Sequence, residues 1–225
     1  MNTLLLRLSG AMQSWGVQSR FSVRDTGLEP SKSGVLGLVC AALGIHRTDD
    51  ESLARLARLR LGVRVDREGR LKVDYHTAGN VLRAGGGLKA TEPSNRYYLA
   101  DAVFLVGLAG EDAGQLKAIH AALRNPTWPL YLGRKAFVPG EPVWLADGLQ
   151  ERAKLLPALQ TYPYLGRNPA PDRLRVVYED RGGEQSKGLL IVRPDQPLSF
   201  NTRRFAPRRM SMTFIPTPNS VKEAP

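Results

Sequence analysis

The sequence is poor in the residues that build disulfides, metal sites and acid–base sites. It has one cysteine, Cys40, and three histidines among 225 residues. A single cysteine excludes an intrachain disulfide, and its position inside an apolar run predicts a small core residue and a cytoplasmic location. The sequence has no Cys/His cluster, no serine nucleophile elbow and no P-loop, so we expect no metal and no other cofactor.

Long hydrophobic runs are also missing. No window approaches the roughly 18 apolar residues of a membrane span, and the early apolar run at 4–8 is too short for a signal peptide. The composition is 42% hydrophobic and 24% charged, which is typical of a globular protein. The length allows one large domain or two small ones, and we expect no membrane partner.

Acidic residues are too few to balance the basic ones. The chain has 21 Asp and Glu against 32 Lys and Arg, a formal net charge of +11 and a sequence pI near 10.1. This balance predicts a polyanionic partner, and nucleic acid is favoured because no lysine-rich amphipathic stretch indicates a membrane surface. A thermophilic or merely soluble protein is the alternative.

The apolar stretch Pro30–Ile45 organises the chain. Ser31 or Ser33 is predicted to cap a helix that has no polar face until His46. The free N–H groups at its start, beside Lys32, attract anions, although a plain core helix is the alternative. Small residues share one face and predict a close approach to a sheet or another backbone: Gly34, Gly37, Ala41 and Gly44.

Three further segments carry candidate nucleic-acid contacts. The loop SGAMQSWG at 9–16 offers an amide and an indole for a base, with a core tryptophan as the alternative. The basic, glycine-containing excursion at 76–96 predicts an arm that orders on nucleic acid, or a plain flexible loop. The proline-stiffened stretch at 125–135 ends in paired cations, with a rigid surface connection as the alternative.

Four arginines in seven positions near the end of the chain predict a phosphate-binding strip or a basic tail that contacts a partner protein. Together with the earlier segments, they complete the set of predicted RNA-binding residues. These are Gln13, Ser14, Trp15, Arg24, Ser31, Lys32, Ser33, Arg83, Lys89, Arg96, Gly133, Arg134, Lys135, Arg203, Arg204 and Arg208.

The order of predicted elements is strand, helix, strand, excursion, strand, helix, which suggests a ferredoxin-like split βαβ unit in an α+β protein. Tyr97–Leu108 is predicted as one long strand, and a short fourth strand is expected near Leu130–Phe137. The composition changes beyond Pro139. We therefore predict a first domain at 1–138 and a smaller β-rich domain at 139–225.

Five stretches occur in the order and spacing of one family: Ser9–Gly16, Pro30–Ile45, Asp74–Thr77, Tyr97–Leu108 and Tyr131–Lys135. Through them, nearly the whole chain resembles the CasD family of subunits from type I-E CRISPR surveillance complexes (Cascade). The resemblance implies a repeat-associated protein with a ferredoxin-like, RNA-recognition-motif-like domain. It also implies a β-hairpin thumb at about 76–96 and a small C-terminal β domain.

The resemblance also implies a function in antiviral defence. Such a subunit caps the guide RNA and holds its 5′ handle, here with the 9–16 loop, the start of the Pro30 helix and the Gly133–Lys135 turn. The implied partners are the guide RNA and the backbone, large and small subunits of the ribonucleoprotein complex. Target DNA would be contacted indirectly through the complex.

Catalysis is the alternative to binding, because relatives in another subtype cleave precursor CRISPR RNA as metal-independent endoribonucleases. Such enzymes use Tyr, Lys and His to activate the 2′-hydroxyl and to stabilise the developing charge. Tyr75, His76 and Lys89 form the one conceivable set, whereas His46 and His120 are predicted to be structural. In the type I-E form another subunit does the cutting, so we expect no enzymatic activity.

Overall fold

The protein is a mixed α+β structure, described here from a computed structural model over residues 1–18, 22–167, 169–180 and 189–218. The helices of this part of the chain are α1 (Lys32–Leu43), α2 (Asp50–Ala57), α3 (Ala113–Arg124) and α4 (Leu155–Thr161). Its strands are β1 (Asn2–Ser9), β2 (Met12–Gln13), β3 (Val23–Arg24), β4 (Arg60–Arg67), β5 (Arg70–Leu82), β6 (Leu88–Ala100), β7 (Val103–Gly110), β8 (Trp144–Gln150), β9 (Arg173–Glu179), β10 (Leu189–Ser199) and β11 (Arg204–Pro216).

A seven-stranded antiparallel sheet in the order β10-β11-β9-β4-β7-β1-β8 forms the centre of the fold. Its middle strands are apolar on both faces because helices cover both faces. In β1, Leu4 and Leu6 join the core beneath α1, α2 and α3, whereas Leu5 joins a second core beneath α4. Among the described residues, none of the four helices has the length and apolar character needed to cross a membrane.

Helix α1 begins at one of the two predicted caps and ends at Gly44, before the end of the apolar stretch at Ile45. The Ser31 side chain accepts a hydrogen bond from the Gly34 N–H, so Ser31 is the N-cap. Gly44 ends the helix in the left-handed region with φ 71°. Because α1 packs against α3 and β10, its first turn lies beside the C-terminal strands of the sheet.

A buried layer of charges joins the start of α1 to those strands. The Lys32 Nζ lies 2.9 Å from Glu179 Oε2 at the end of β9, and the Lys32 side chain is fully buried. The Lys32 N–H donates to Asp195 Oδ2 at 2.8 Å. Arg208 of β11 donates to both carboxylate oxygens of Asp195, each at 2.8 Å. These four side chains stabilise the contact between α1 and the sheet edge.

A long hairpin, β5–β6, projects from the smaller sheet, which has the order β2-β6-β3 with β5 paired to β6. Its strands run from Arg70 to Leu82 and from Leu88 to Ala100, so the excursion predicted at 76–96 lies within paired strands. The turn at its tip is closed by the Arg83 N–H donating to the Gly87 carbonyl oxygen at 3.1 Å.

Two strand predictions are wrong. Tyr97–Leu108 is interrupted at Asp101, which has φ 60°; β6 ends before it and β7 begins after it in the other sheet. The segment Leu130–Phe137 forms no strand, because its backbone instead makes turns such as the hydrogen bond from the Phe137 N–H to Arg134 O. The strand beside β1 is β8, Trp144–Gln150.

We predict that Lys32→Met lowers the free energy of unfolding by about 3–5 kcal/mol, because it leaves the Glu179 carboxylate buried without its cation. Denaturant unfolding of the whole chain measures this difference. Lys117→Met is the matched control: Lys117 forms an ion pair of the same length, 2.9 Å, with Glu151, but both side chains are more than half exposed. That variant is expected to unfold almost like the parent, and equal losses for the two variants would contradict the structural role of the buried pair.

Candidate nucleic-acid interface

A groove runs along the exposed face of α1. It consists of two adjoining hollows of about 380 and 290 Å³ that share Ser33, Gly34, Gly133 and Phe200. The segment at 125–137 forms one wall and the segment at 200–205 forms the other. We call this feature the α1 groove.

The floor of the α1 groove is the small-residue face of α1. A Cβ on Gly37 would meet only Phe200 Cζ, at 3.9 Å, so this position is open. A Cβ on Gly34 would lie 2.8 Å from the Trp15 ring. Two glycines therefore have different roles: Gly34 admits the indole beneath the helix, and Gly37 keeps the floor deep. The stripe does not face the main sheet, because the side chains beneath α1 include Leu36 and Val39. The other predicted alternative, a close approach to another backbone, is found at Ala41, whose carbonyl oxygen accepts a hydrogen bond from the backbone of the first wall.

The first wall is a rigid segment fixed to α1 by its backbone. The N–H groups of Thr127 and Trp128 donate to the carbonyl oxygens of Ala42 and Ala41 at 3.0 and 3.1 Å. Farther along, Gly133 has φ 88°, and a Cβ there would lie 1.7 Å from Ser14 O, so the close approach requires glycine.

Aromatic rings are exposed on this first wall. Trp128 and Tyr131 both line the larger hollow and are 41% and 37% exposed. Because the backbone of the wall is fixed, the rings are held at the edge of the groove and offer flat surfaces for stacking.

The second wall is the turn between β10 and β11. Phe200 lines both hollows, and Phe205, which is 42% exposed, lines the smaller one. Arg47, beyond the end of α1, donates to the Phe200 carbonyl oxygen at 2.8 Å and so fixes this turn. The predicted residues Arg203 and Arg204 lie exposed between the two phenylalanines.

Cations gather at the smaller hollow. Arg134 donates to the carbonyl oxygens of Tyr97 and Arg24 at 2.8 and 3.3 Å, and its guanidinium lies 5.3 Å from the centroid of the Phe137 ring. Burial and the neighbouring Arg96 guanidinium lower the pKa of Arg134 from its ordinary value. The surroundings thus disfavour the charged form of Arg134, and a bound anion would relieve that cost.

Four predicted RNA-binding residues make internal contacts that hold the groove together: Gln13, Trp15, Lys32 and Arg208. Gln13 donates to Leu8 O and Ala102 O at 3.2 and 2.8 Å, and its Oε1 accepts from Trp15 Nε1 at 3.2 Å. Lys32 and Arg208 belong to the buried charge layer. These contacts place all four side chains in the interior, although Trp15 still borders the smaller hollow.

The remaining predicted residues fall into two groups. Arg83 and Lys89 lie on the hairpin, where Lys89 pairs with Glu92, and Arg96 lies near the hairpin base with its Nε donating to Ser94 Oγ at 3.1 Å. A second group lines the smaller hollow of the groove together with Trp15: Ser14, Arg24, Ser31, Ser33, Gly133 and Arg134. Ser14 and Ser31 of this group are buried. Lys135 follows directly and is exposed.

Sequence reasoning missed the aromatic lining. Trp128 and Tyr131 stand in the stretch singled out for its cations, and in the sequence FNTRRF at 200–205 two rings flank a pair of arginines. Aromatic rings and arginines are the side chains on which unpaired bases stack. The chemistry that this arrangement supports is stacking of splayed bases between aromatic rings, with phosphates neutralised by the cations at one end.

A matched pair of substitutions tests the floor. Gly37→Ala is expected to raise the free energy of unfolding by about 1 kcal/mol, because alanine favours the helix and its methyl group meets open space. Gly34→Ala is expected to lower it, because overpacking against Trp15 costs about 1–3 kcal/mol and exceeds the helix gain. Chemical denaturation measures the change in the free energy of unfolding for each variant. Changes of the same sign in both variants would refute the assigned roles.

Comparisons with known proteins agree with this architecture. A family model described as CRISPR-associated protein (Cas_Cas5) matches residues 3–211. The CRISPR system Cascade subunit CasD of Escherichia coli (strain K12) is 32% identical over 218 residues, covering 91% of this chain and 92% of that protein.

Two solved structures are similar in fold as well. One, described as the crystal structure of a Cas protein, has a TM-score of 0.77 and 47% identity over 96% of this chain and 98% of its own. A chain of a CRISPR RNA-guided surveillance complex has a TM-score of 0.76 and 36% identity over 96% of this chain and 91% of its own. The chain therefore belongs to the Cas5 family of CRISPR-associated proteins.

Proposed function

We propose that this protein is a non-catalytic subunit of a type I-E CRISPR surveillance complex and that its α1 groove holds the 5′ handle of the guide RNA. The observation that carries the proposal is the combination of exposed aromatic rings and clustered cations along one groove. Single-stranded RNA is recognised by stacking of splayed bases and by phosphate contacts, and the groove offers both. The relatives that belong to Cascade and to a surveillance complex support the same assignment.

The fold supports a ferredoxin-like first domain within this proposal. Its four strands would be β4-β7-β1-β8, with α1 and α2 connecting β1 to β4 and α3 connecting β7 to β8. Because β8 is Trp144–Gln150, we propose the boundary after residue 150 instead of the predicted 138. Strands β9, β10 and β11 of the smaller C-terminal part continue the same sheet.

We assign the β5–β6 hairpin as the thumb that packs against the neighbouring backbone subunit. Alternate residues of β5 expose apolar side chains on one face: Leu71 is 56%, Val73 53% and Tyr75 71% exposed. Such a strip is typical of a protein contact. The large and small subunits complete the proposed assembly, which contacts target DNA indirectly and is expected in the cytoplasm.

Cleavage of precursor RNA is the rival function, and the hairpin gives it little support. The His76 Nδ1 lies 3.9 Å from Asp74 Oδ2, too far for a hydrogen bond, and both side chains are about half exposed. His76 is paired with Ser94 in the hairpin register and Lys89 with Val81, so Lys89 lies well away from His76 along the strands. The Lys89 side chain pairs with Glu92 instead.

Binding of a guide RNA that carries its handle tests the proposal. We predict that Tyr131→Ala weakens binding by about 1–3 kcal/mol, the cost of losing one stacked base. Lys135→Ala is expected to reduce the slope of log affinity against log salt by about 0.7, since one phosphate contact is lost. Fluorescence anisotropy of labelled RNA at several salt concentrations measures both quantities.

Lys117→Ala serves as the control in this experiment, because Lys117 is an exposed cation on α3 outside the groove. It should change neither the affinity nor the salt slope. The RNA is also recovered from EDTA-containing buffer on a denaturing gel, where it should remain intact. A defined cleavage product that His76→Ala abolishes, or unaltered binding by both groove variants, would overturn the proposal.

A further inference from the structure

A second cleft, of about 540 Å³, lies at the end of the main sheet between the end of β4 and the segment that precedes β9. None of its lining residues lines the α1 groove. Arg67, Arg167 and Arg173 line the cleft together with Phe214 of β11. We call this feature the β4–β9 cleft.

The β4–β9 cleft has an excess of positive charge. Within the described ranges, Arg67, Arg167 and Arg173 form no ion pair with a carboxylate. The two acids of the cleft are engaged by other arginines. Asp66 accepts from the buried Arg64 at 2.6 and 2.8 Å, and Glu68 accepts from Arg175 at 2.9 and 3.0 Å.

One wall of the cleft is fixed by these ion pairs. Arg175 contacts Glu29, just before α1, at 2.7 Å, and also Glu68. Burial alone would lower the pKa of Arg175, but the two carboxylates raise it above its ordinary value. The Arg175 guanidinium therefore stays charged and is fixed in place. The other three arginines of the cleft have no carboxylate partner among the described residues.

An aromatic surface lies beside these arginines. Phe214 is 49% exposed, and the Arg173 guanidinium lies 5.8 Å from the centroid of its ring. Pro169 and Pro171 line the cleft on the segment that precedes β9 and stiffen it. The guanidinium lies over the ring, and an unpaired base can stack on the exposed part of this cation–π pair.

We propose that the β4–β9 cleft is a second binding site for single-stranded nucleic acid, separate from the α1 groove. The arginines contact successive phosphates, and Phe214 stacks one base. A single strand fits because its bases are free to leave the stack, whereas a duplex hides the base faces that Phe214 needs. An acidic protein segment would use the arginines but leave the stacking surface unused. The inference does not depend on the proposed function, since the two sites share no residue.

Binding of a fluorescently labelled oligouridine to the full-length chain tests this site. The triple variant Arg67→Ala, Arg167→Ala, Arg173→Ala is expected to weaken binding and to reduce the salt slope by about two, given about 0.7 for each phosphate. The control variant removes the same net charge from exposed residues outside the cleft and groove: Arg55→Ala, Arg58→Ala, Lys117→Ala. It is expected to retain the salt slope, and a loss equal to that of the cleft variant would refute a local site.

Crosslinking separates this site from the α1 groove and from a general anion site. Oligouridine containing 4-thiouridine should crosslink to the peptide that carries Phe214 in the parent and in a Tyr131→Ala, Lys135→Ala groove variant. The crosslink should be lost in the triple arginine variant, whose fold is checked by thermal unfolding. The absence of a crosslink to this peptide in the parent would contradict the proposal. It would also be contradicted if polyglutamate of equal charge displaced the labelled oligouridine at the same concentration as unlabelled oligouridine does.

Discussion

The buried ion pair between Lys32 and Glu179 is the contact on which the rest of the structure depends. Burying an ammonium group without a partner is costly, so the contact with Glu179 favours one position of the first turn of α1 against the end of β9. Asp195 extends the contact to β10 and β11 through the Lys32 N–H and Arg208. Because the second wall of the α1 groove is the turn between these two strands, this layer also sets the distance from the wall to the floor.

The residues around the groove are of two kinds that cannot be told apart in the sequence: polar and aromatic residues that are buried, and aromatic residues that stay exposed. Gln13 and Trp15 are buried and make internal hydrogen bonds, which fix the loop beneath α1. Tyr131 and Phe205 are left at the surface by the same architecture, where their rings are free to stack. A binding surface of this kind needs both kinds: an interior that is fully satisfied and a rim whose rings and cations stay available.

Local patterns predicted much of the framework. A serine cap at position 31 or 33, the helix that follows it and the first apolar strand are predicted from neighbouring residues, and the structure has them, with Ser31 as the cap. The site was harder to predict, because its lining comes from distant segments: Ser33, Gly133 and Phe200 line the same hollow. The buried charge layer is equally non-local, since the Lys32 side chain meets Glu179, 147 positions away. In the sequence, Lys32 at the start of a helix indicated an anion-binding site because its buried partner Glu179 could not be identified. The strand expected near Leu130–Phe137 does not form because this segment turns back on itself, for example through the hydrogen bond from the Leu132 N–H to Phe137 O at 2.7 Å.

Crosslinking of the guide's 5′ end within the assembled complex is the most direct test of whether the α1 groove holds the handle. A guide RNA carrying 4-thiouridine in its handle is incorporated into the complex, irradiated, and the crosslinked peptides of this chain are identified. We expect crosslinks to both walls of the α1 groove, at Trp128 and Tyr131 on one side and at Phe200 or Phe205 on the other. Handle crosslinks that fall on other subunits, or on this chain away from both walls, would contradict this expectation.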